Sequence, residues 1–436
     1  MGVVQMTEKK AGKLGIIVGG GPAPGINGVI SAATIEAINQ GMDVIGFRDG
    51  FRWLAEGDAD HIMKMNIDDV SAIHLKGGSV LGTSRKNPTK DEREMQNVLD
   101  VFRLLRVTAL VTIGGDDTAF TARQVYLRGG GALRVAHVPK TIDNDMPLTG
   151  STPTFGFETA RHYGTLLLRN LSEDAKTTSR WYLIVSMGRA AGHLALGIGK
   201  AGAATLTVIP EEFEDRRVKL DVLCDIITGA IIKRKSRGAH YGAVVLAEGL
   251  IESIGEDELV RVLGEKLTRY GNLRRDDHGH LRLGEIEFGR LIKDLLSERL
   301  DELHIKTTFI AKDLGYELRC ADPIPFDAEY TRDLGYGAVK FLRSDEAGKA
   351  GAVICLDQGK MKPLPFEELI NPKTNRFTTR FVDVKGETYE CACRYMIRLE
   401  KSDFENPRQL AVLADESGMT PEQFRDRFGK VVGLSA

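Results

Sequence analysis

Short, wholly apolar runs alternate with longer stretches of helical period along most of this chain. Leu14–Gly19 is such a run; a Gly/Pro cluster and an amphipathic stretch from Gly25 to Asn39 follow it, which predicts strand, loop, helix. Met42–Phe47 and Val107–Ile113 read as strands, Thr89–Leu105 as an amphipathic helix with acidic residues in its first turn, Asp116–Leu127 as a helix and Val135–Val138 as a short strand. A second series follows: helix Phe157–Leu171, strand Trp181–Ser186, helix Ala190–Ala201, strand Thr205–Ile209, helix Leu220–Lys235 and strand Ala243–Ala247. Asp327–Leu342 reads as a helix and Ala352–Leu356 as a strand returning to one of the sheets. Beyond about Lys362 the periodicity weakens, as in an appended cap. Strand and helix in alternation imply a parallel sheet with helices on both faces. The predicted fold is therefore α/β, with two doubly wound Rossmann-like domains, mostly parallel sheets and a C-terminal extension. Gly, Pro, Ser and Thr cluster at Thr149–Gly156, so the expected segments are 1–154, 155–317 and 318–436, the last returning to both domains.

Composition narrows the function. At 436 residues the chain exceeds what one hydrophobic core supports. A net charge of −2 carries no basic excess for nucleic acid. No apolar run is long enough for a bilayer, and Met1–Lys13 lacks the apolar centre of a secretory signal. Cys391 and Cys393 form a C-x-C that no second pair completes into a zinc site; the five cysteines read as reduced thiols of a cytoplasmic protein. His278 and His280 fall in the polar segment Arg274–Gly284 with no further ligands spaced around them, and read as a surface turn.

Chemistry-bearing residues follow the strands. Gly19-Gly20-Gly21-Pro22-Ala23-Pro24-Gly25 succeeds the first strand; it is either a tight turn or a cradle whose amides face an anion. Gly114-Gly115-Asp116-Asp117 ends another strand, where the carboxylates either cap a helix or reach a metal ion. Pro139-Lys140-Thr141-Ile142-Asp143-Asn144-Asp145 joins a cation, a hydroxyl and two carboxylates, more than an Asx turn needs and enough for a general base. Met187-Gly188-Arg189-Ala190-Ala191-Gly192 sets an arginine at an expected helix start, against the helix dipole, which points it at an anion. Glu248-Gly249 offers a carboxylate to hydroxyls, and Gly315-Tyr316-Glu317-Leu318-Arg319 a phenol and a guanidinium suited to a phosphomonoester.

In this order the motifs resemble the phosphofructokinase family from about Leu14 to Leu342. The resemblance implies phosphoryl transfer to the 1-hydroxyl of fructose 6-phosphate with Mg²⁺ as cofactor. Asp143 would take the hydroxyl proton, with Thr141, Ile142 and Asp145 beside it. Asp116 would serve Mg²⁺, and Gly20, Gly21 and Arg85 the donor phosphates. Met187, Gly188, Arg189, Glu248, Tyr316 and Arg319 would hold the sugar phosphate. Residues 1–154 would thus form the donor domain and 155–317 the sugar-phosphate domain. Arg180 resembles an arginine that reaches the substrate of a neighbouring subunit, which implies a homodimer or homotetramer with shared active sites; Lys306 and Lys312 are candidates for a second such cation. ATP-using members carry Gly where this chain has Asp117 and Lys140. The paired substitution resembles the pyrophosphate-dependent branch: Asp117 would repel the α-phosphate of ATP, and Lys140 would balance charge on pyrophosphate. Pro22 departs from the Asp or Ser of many relatives. The alternatives are an ATP-dependent member, a nucleotide or lipid kinase sharing the GGD turn, and a non-catalytic regulatory subunit that binds sugar phosphate. The last is disfavoured by the presence of Asp143.

Overall fold

The computed structural model describes residues 12–150, 152–271, 274 and 281–434. Its principal strands, in chain order, are β1 (Lys13–Val18), β2 (Asp43–Phe47), β3 (Ile62–Met65), β4 (Ala109–Gly114), β5 (Arg134–Thr141), β6 (Phe155–Gly156), β7 (Trp181–Ser186), β8 (Leu206–Val208), β9 (Gly242–Ala247), β10 (Phe309–Leu314), β11 (Ala352–Asp357) and β12 (Lys360–Pro365). Two compact units divide the chain, Met1–Ala160 with Glu317–Arg380, and Arg161–Tyr316 with Phe381–Ala436.

The first unit holds one sheet in the order β12-β11-β5-β4-β1-β2-β3, with β6 beside β5. All neighbours are parallel except β3 on β2 and β12 on β11. Val18, Ile16 and Leu14 of β1 face one apolar cluster with helices Ile26–Asn39 and Pro325–Arg343, while Ile17 faces the other with helices Glu92–Leu104 and Asp116–Arg128. A strand buried on both faces needs the unbroken apolar run seen in the sequence. Helix Glu92–Leu104 shows the local logic. Asp91 accepts the Arg93 N–H at 2.8 Å as its cap, a contact worth about 1 kcal/mol. Met95, Val98, Leu99 and Phe102 then fall on the buried side at helical spacing. The chain leaves β1 toward β2 in one direction and β4 toward β5 in the other, so the order reverses between β1 and β4. In open α/β sheets ligands bind outside the carboxyl ends at that reversal.

The second unit holds a four-stranded, wholly parallel sheet in the order β10-β7-β9-β8. Leu314, Ser186 and Ala247 lie in register at the carboxyl ends of β10, β7 and β9. The loops that follow those three strands therefore start side by side. Short helices of the C-terminal segment pack on this unit through Lys233, whose ammonium donates to Asp403 at 2.7 Å and to the Arg398 carbonyl at 2.8 Å.

Several elements differ from the sequence reading. The strand expected at Val135–Val138 runs to Thr141, because Lys140 and Thr141 pair with β6. The helix expected from Ala190 starts at His193. Arg189 therefore does not sit at a helix start and does not oppose a helix dipole. The Gly192 N–H is held instead by the Glu211 carboxylate at 2.9 Å, which keeps residues 189–192 out of the helix. β3, β6, β10 and β12 have no counterpart in the sequence reading. The segment past Lys362 splits: a strand pair at Ile370–Asn371 and Arg376–Phe377 stays with the first unit, and residues from 381 onward join the second. His278 and His280 lie outside the described residues.

Candidate active site

In the first unit three loops meet at the carboxyl ends of β1, β4 and β5. The Gly-rich turn is fixed from below. The Gly19 N–H donates to the Ile113 carbonyl and the Gly20 N–H to the Ser84 carbonyl, both at 2.8 Å. The Thr83 hydroxyl donates to the Gly20 carbonyl at 2.6 Å. The Gly19 and Gly20 amides are thus used by the protein itself. The positive charge facing this turn comes from side chains. Lys140 is 5% exposed, and its ammonium donates to the Gly21 carbonyl. A β-carbon on Gly20, whose φ is +81°, would come within 3.3 Å of that ammonium, so the position needs glycine. A β-carbon on Gly21 would meet the Arg319 guanidinium at 3.4 Å. Arg319, expected with the sugar phosphate, thus lies against this Gly-rich turn.

Burial pulls the Lys140 ammonium from 10.5 down to about 8; Arg319 and Arg85 push the same way, and the Asp143 and Asp116 carboxylates oppose them. Two carboxylates, a lysine and two arginines therefore share one field. Asp143 is half-buried, and its N–H donates to Thr141 Oγ1 at 3.0 Å. Ile142 is 4% exposed. Its side chain belongs to the core, and only its backbone can serve a ligand. Asp116 and Asp117 open helix Asp116–Arg128 and are both exposed. Asp117 pairs with Arg376 at 3.6 Å. Among the described residues no group of three or more His, Cys, Asp or Glu is placed to hold a metal. Asp116 fits an ion that takes a single protein carboxylate and completes its shell with phosphate oxygens and water, which is how Mg²⁺ is held in phosphoryl transfer.

Sequence reasoning missed Arg376, His137 and Arg380 here. Burial holds the His137 imidazole at about 3, hence neutral. Its Nε2–H donates to the Gly114 carbonyl at 3.0 Å and its Nδ1 accepts from Thr112 Oγ1 at 2.9 Å, which fixes the backbone of the Gly114–Asp116 turn. A polar residue inside an apolar strand run was the available signal. Arg376 and Arg380 gave none, because their partners lie more than 200 residues away.

In the second unit the loops after β7 and β9 bring Gly188 and Glu248 together, and Met187 donates its N–H to the Leu314 carbonyl at the end of β10 at 2.9 Å. Glu248 Oε2 accepts the Gly188 N–H at 2.9 Å, and the Gly249 N–H donates to the Gly188 carbonyl at 3.0 Å. A β-carbon on Gly249 would sit 2.8 Å from the Arg189 carbonyl, so this close approach also needs glycine. Arg189 is exposed and lines a cavity of about 980 Å³ with Ala190, Arg217, Lys219, Gly249 and Glu252. Burial raises the Glu252 carboxyl, Glu248 adds to this and Arg189 opposes it. Tyr316 is 77% exposed. Among the described residues the buried Nε of Arg180 has no hydrogen-bond partner. Lys306 and Lys312 are exposed.

A family profile described as Phosphofructokinase matches residues 13–342. The chain belongs to the phosphofructokinase family. It is 50% identical over 418 residues to the pyrophosphate–fructose 6-phosphate 1-phosphotransferase of Thermotoga maritima, covering 96% of this chain and 98% of that one. It is 48% identical over 434 residues to the protein of the same description from Naegleria fowleri, covering 98% and 97%. A solved pyrophosphate-dependent phosphofructokinase from Nitrosospira multiformis shares the fold, with TM-score 0.64 and 16% identity over 97% of this chain and 92% of that one.

Proposed function

We propose that this protein transfers a phosphoryl group from pyrophosphate to the 1-hydroxyl of fructose 6-phosphate, giving fructose 1,6-bisphosphate and phosphate, and that it runs the reverse reaction too. One observation carries the donor assignment: the Lys140 ammonium is buried against the Gly20–Gly21 turn, beside Arg319 and in the field of Asp143 and Asp116. The two nearly full-length relatives described above support it. Asp143 accepts the hydroxyl proton as the sugar oxygen bonds to phosphorus and the bridging P–O bond breaks. Lys140 stabilises the charge that builds on the departing phosphate. Arg85 and Arg319 hold the phosphate oxygens. Mg²⁺ on Asp116 supplies charge screening for the donor when bound. Met187, Gly188, Arg189, Glu248 and Tyr316 hold the sugar phosphate.

We place the enzyme in the cytoplasm, where its five free cysteines would stay reduced. No described helix is long and apolar enough to cross a membrane. The family resemblance at Arg180 supports a homo-oligomer in which this guanidinium meets the substrate phosphate of a neighbour. The test is an initial-rate comparison of pyrophosphate and ATP with fructose 6-phosphate and Mg²⁺. A preference for ATP overturns the donor assignment; no turnover with either favours the regulatory-subunit reading.

A further inference from the structure

Arg380 closes the first unit, 38 residues past the last position matched by the family profile. Its backbone N–H donates to the Asp145 carbonyl at 2.8 Å. Its guanidinium donates through Nε and Nη2 to the Asn144 carbonyl at 3.2 and 3.1 Å, and through Nη1 to the Thr152 carbonyl at 2.9 Å. Nη2 also reaches Asn144 Oδ1. Asn144 stands between the carboxylates of Asp143 and Asp145 with φ +58°. Asparagine adopts that left-handed conformation more readily than other residues with a side chain, as in a tight turn. Asn144 is 9% exposed, and Oδ1 accepts the Thr154 N–H at 3.0 Å and hydroxyl at 3.2 Å as well. A planar guanidinium can serve several carbonyls at once; a lysine ammonium has no such fork.

We propose that Arg380 is a positioning residue for Asp143, holding through Asn144 the turn that presents the base. This rests on the reading of Asp143 as the base. A base must lie within hydrogen-bond reach of the proton it takes, and small misplacements lower turnover steeply. The residue comes from the C-terminal extension rather than from the family-matched span.

The test uses full-length wild type, Arg380→Ala, Arg380→Lys, Asn144→Ala, the Arg380→Ala/Asn144→Ala double variant and Asp143→Asn. Each is assayed for kcat, both KM values and thermal midpoint with pyrophosphate and fructose 6-phosphate. Arg380→Ala is expected to lose about 10²-fold in kcat, the scale of a 1 Å misplacement, with both KM values little changed. Arg380→Lys falls between it and wild type. Guanidinium chloride, well below denaturing concentration, restores kcat in Arg380→Ala but not in Asp143→Asn. The double variant is no slower than the slower single variant, because both changes cut one linkage. A folded Arg380→Ala enzyme with wild-type kcat overturns the proposal. So does a loss seen only in KM or thermal midpoint, or a kcat loss that guanidinium leaves unmoved. If Arg380→Ala does not fold, Arg380→Lys decides: lower kcat at unchanged KM and thermal midpoint supports the proposal, and unchanged kcat overturns it. Normal turnover in Asp143→Asn sinks the base reading and this proposal together; a dead Asp143→Asn beside a normal Arg380→Ala sinks only the proposal.

Discussion

Lys140 ties stability and turnover to the same proton. Its ammonium is 5% exposed and displaced from 10.5 to about 8, chiefly by burial. Only the charged form can stabilise a departing phosphate. The kcat/KM for pyrophosphate, which reports the free enzyme, is thus expected to fall above about pH 8 and to lose about tenfold per pH unit beyond it. Bound pyrophosphate adds negative charge beside the ammonium, so the corresponding limb in kcat lies at higher pH. The folded value is below the unfolded one. Between about 8 and 10.5 the unfolded chain holds more protons, so stability rises with pH through that window. Below pH 8 the fold bears the whole penalty of a buried charge, about 3 kcal/mol from the size of the displacement. Lys140→Met removes that penalty. At pH 7 it is expected to unfold at a higher temperature than wild type while turning over more slowly and losing the alkaline limb. The assays are pH–rate profiles from 6 to 10 and thermal melts at pH 7. A wild-type kcat/KM that stays flat to pH 9.5, or a limb that persists in Lys140→Met, refutes the role. A variant less stable than wild type at pH 7 refutes the burial argument.

Asp143→Ala is expected to lower kcat at least about 10²-fold with the fold intact, checked by rates and circular dichroism. Arg180→Ala is expected mainly to raise the KM for fructose 6-phosphate, since it removes binding common to ground and transition states; a fully active monomer in sedimentation would sink the shared site. Asp403→Ala leaves the Lys233 ammonium, itself 4% exposed, without its 2.7 Å partner. A loss of about 3–5 kcal/mol in urea unfolding is expected. Asp117→Gly and Lys140→Gly, alone and combined, are expected to raise kcat/KM for ATP relative to pyrophosphate, the double variant most of all.

Strands and helices with strong periods were legible in the sequence because burial on a sheet face leaves a period-independent apolar run, and helix Glu92–Leu104 its spaced stripe. β12 was not, since Lys360, Lys362 and two prolines interrupt it; it is an edge strand paired on one side only. β10 carries Lys312 and Asp313 and is likewise an edge. The motif loops were legible because each follows an apolar strand, and their grouping follows from strand order. What sequence could not supply was the set of contacts around them. That the Gly20 amide is occupied by Ser84 depends on a bridge between residues far apart in the chain. That Arg319 lies against the Gly21 turn likewise depends on a contact between residues far apart in the chain.

Asp117 and Lys140 are two charges where ATP-using members of the family have glycine, and the structure gives them different weight. The Asp117 side chain is 67% exposed and faces Arg376, itself 61% exposed, at 3.6 Å. Two unit charges about 4 Å apart interact by about 1 kcal/mol in a water-like medium, and the Arg376 guanidinium offsets part of what a carboxylate could exert on an α-phosphate. Repulsion by Asp117 can therefore account for about a fivefold preference, no more than tenfold. Lys140 is buried, so its charge acts through a less polar medium, and its ammonium contacts the Gly20–Gly21 turn directly. Donor choice should then lie mostly with Lys140. Asp117→Gly alone should improve ATP use by less than about tenfold, whereas Lys140→Gly removes both a charge and a side chain beside the donor turn. A hundredfold gain in ATP use from Asp117→Gly alone would show that the carboxylate works in a drier setting than its exposure and its Arg376 partner imply.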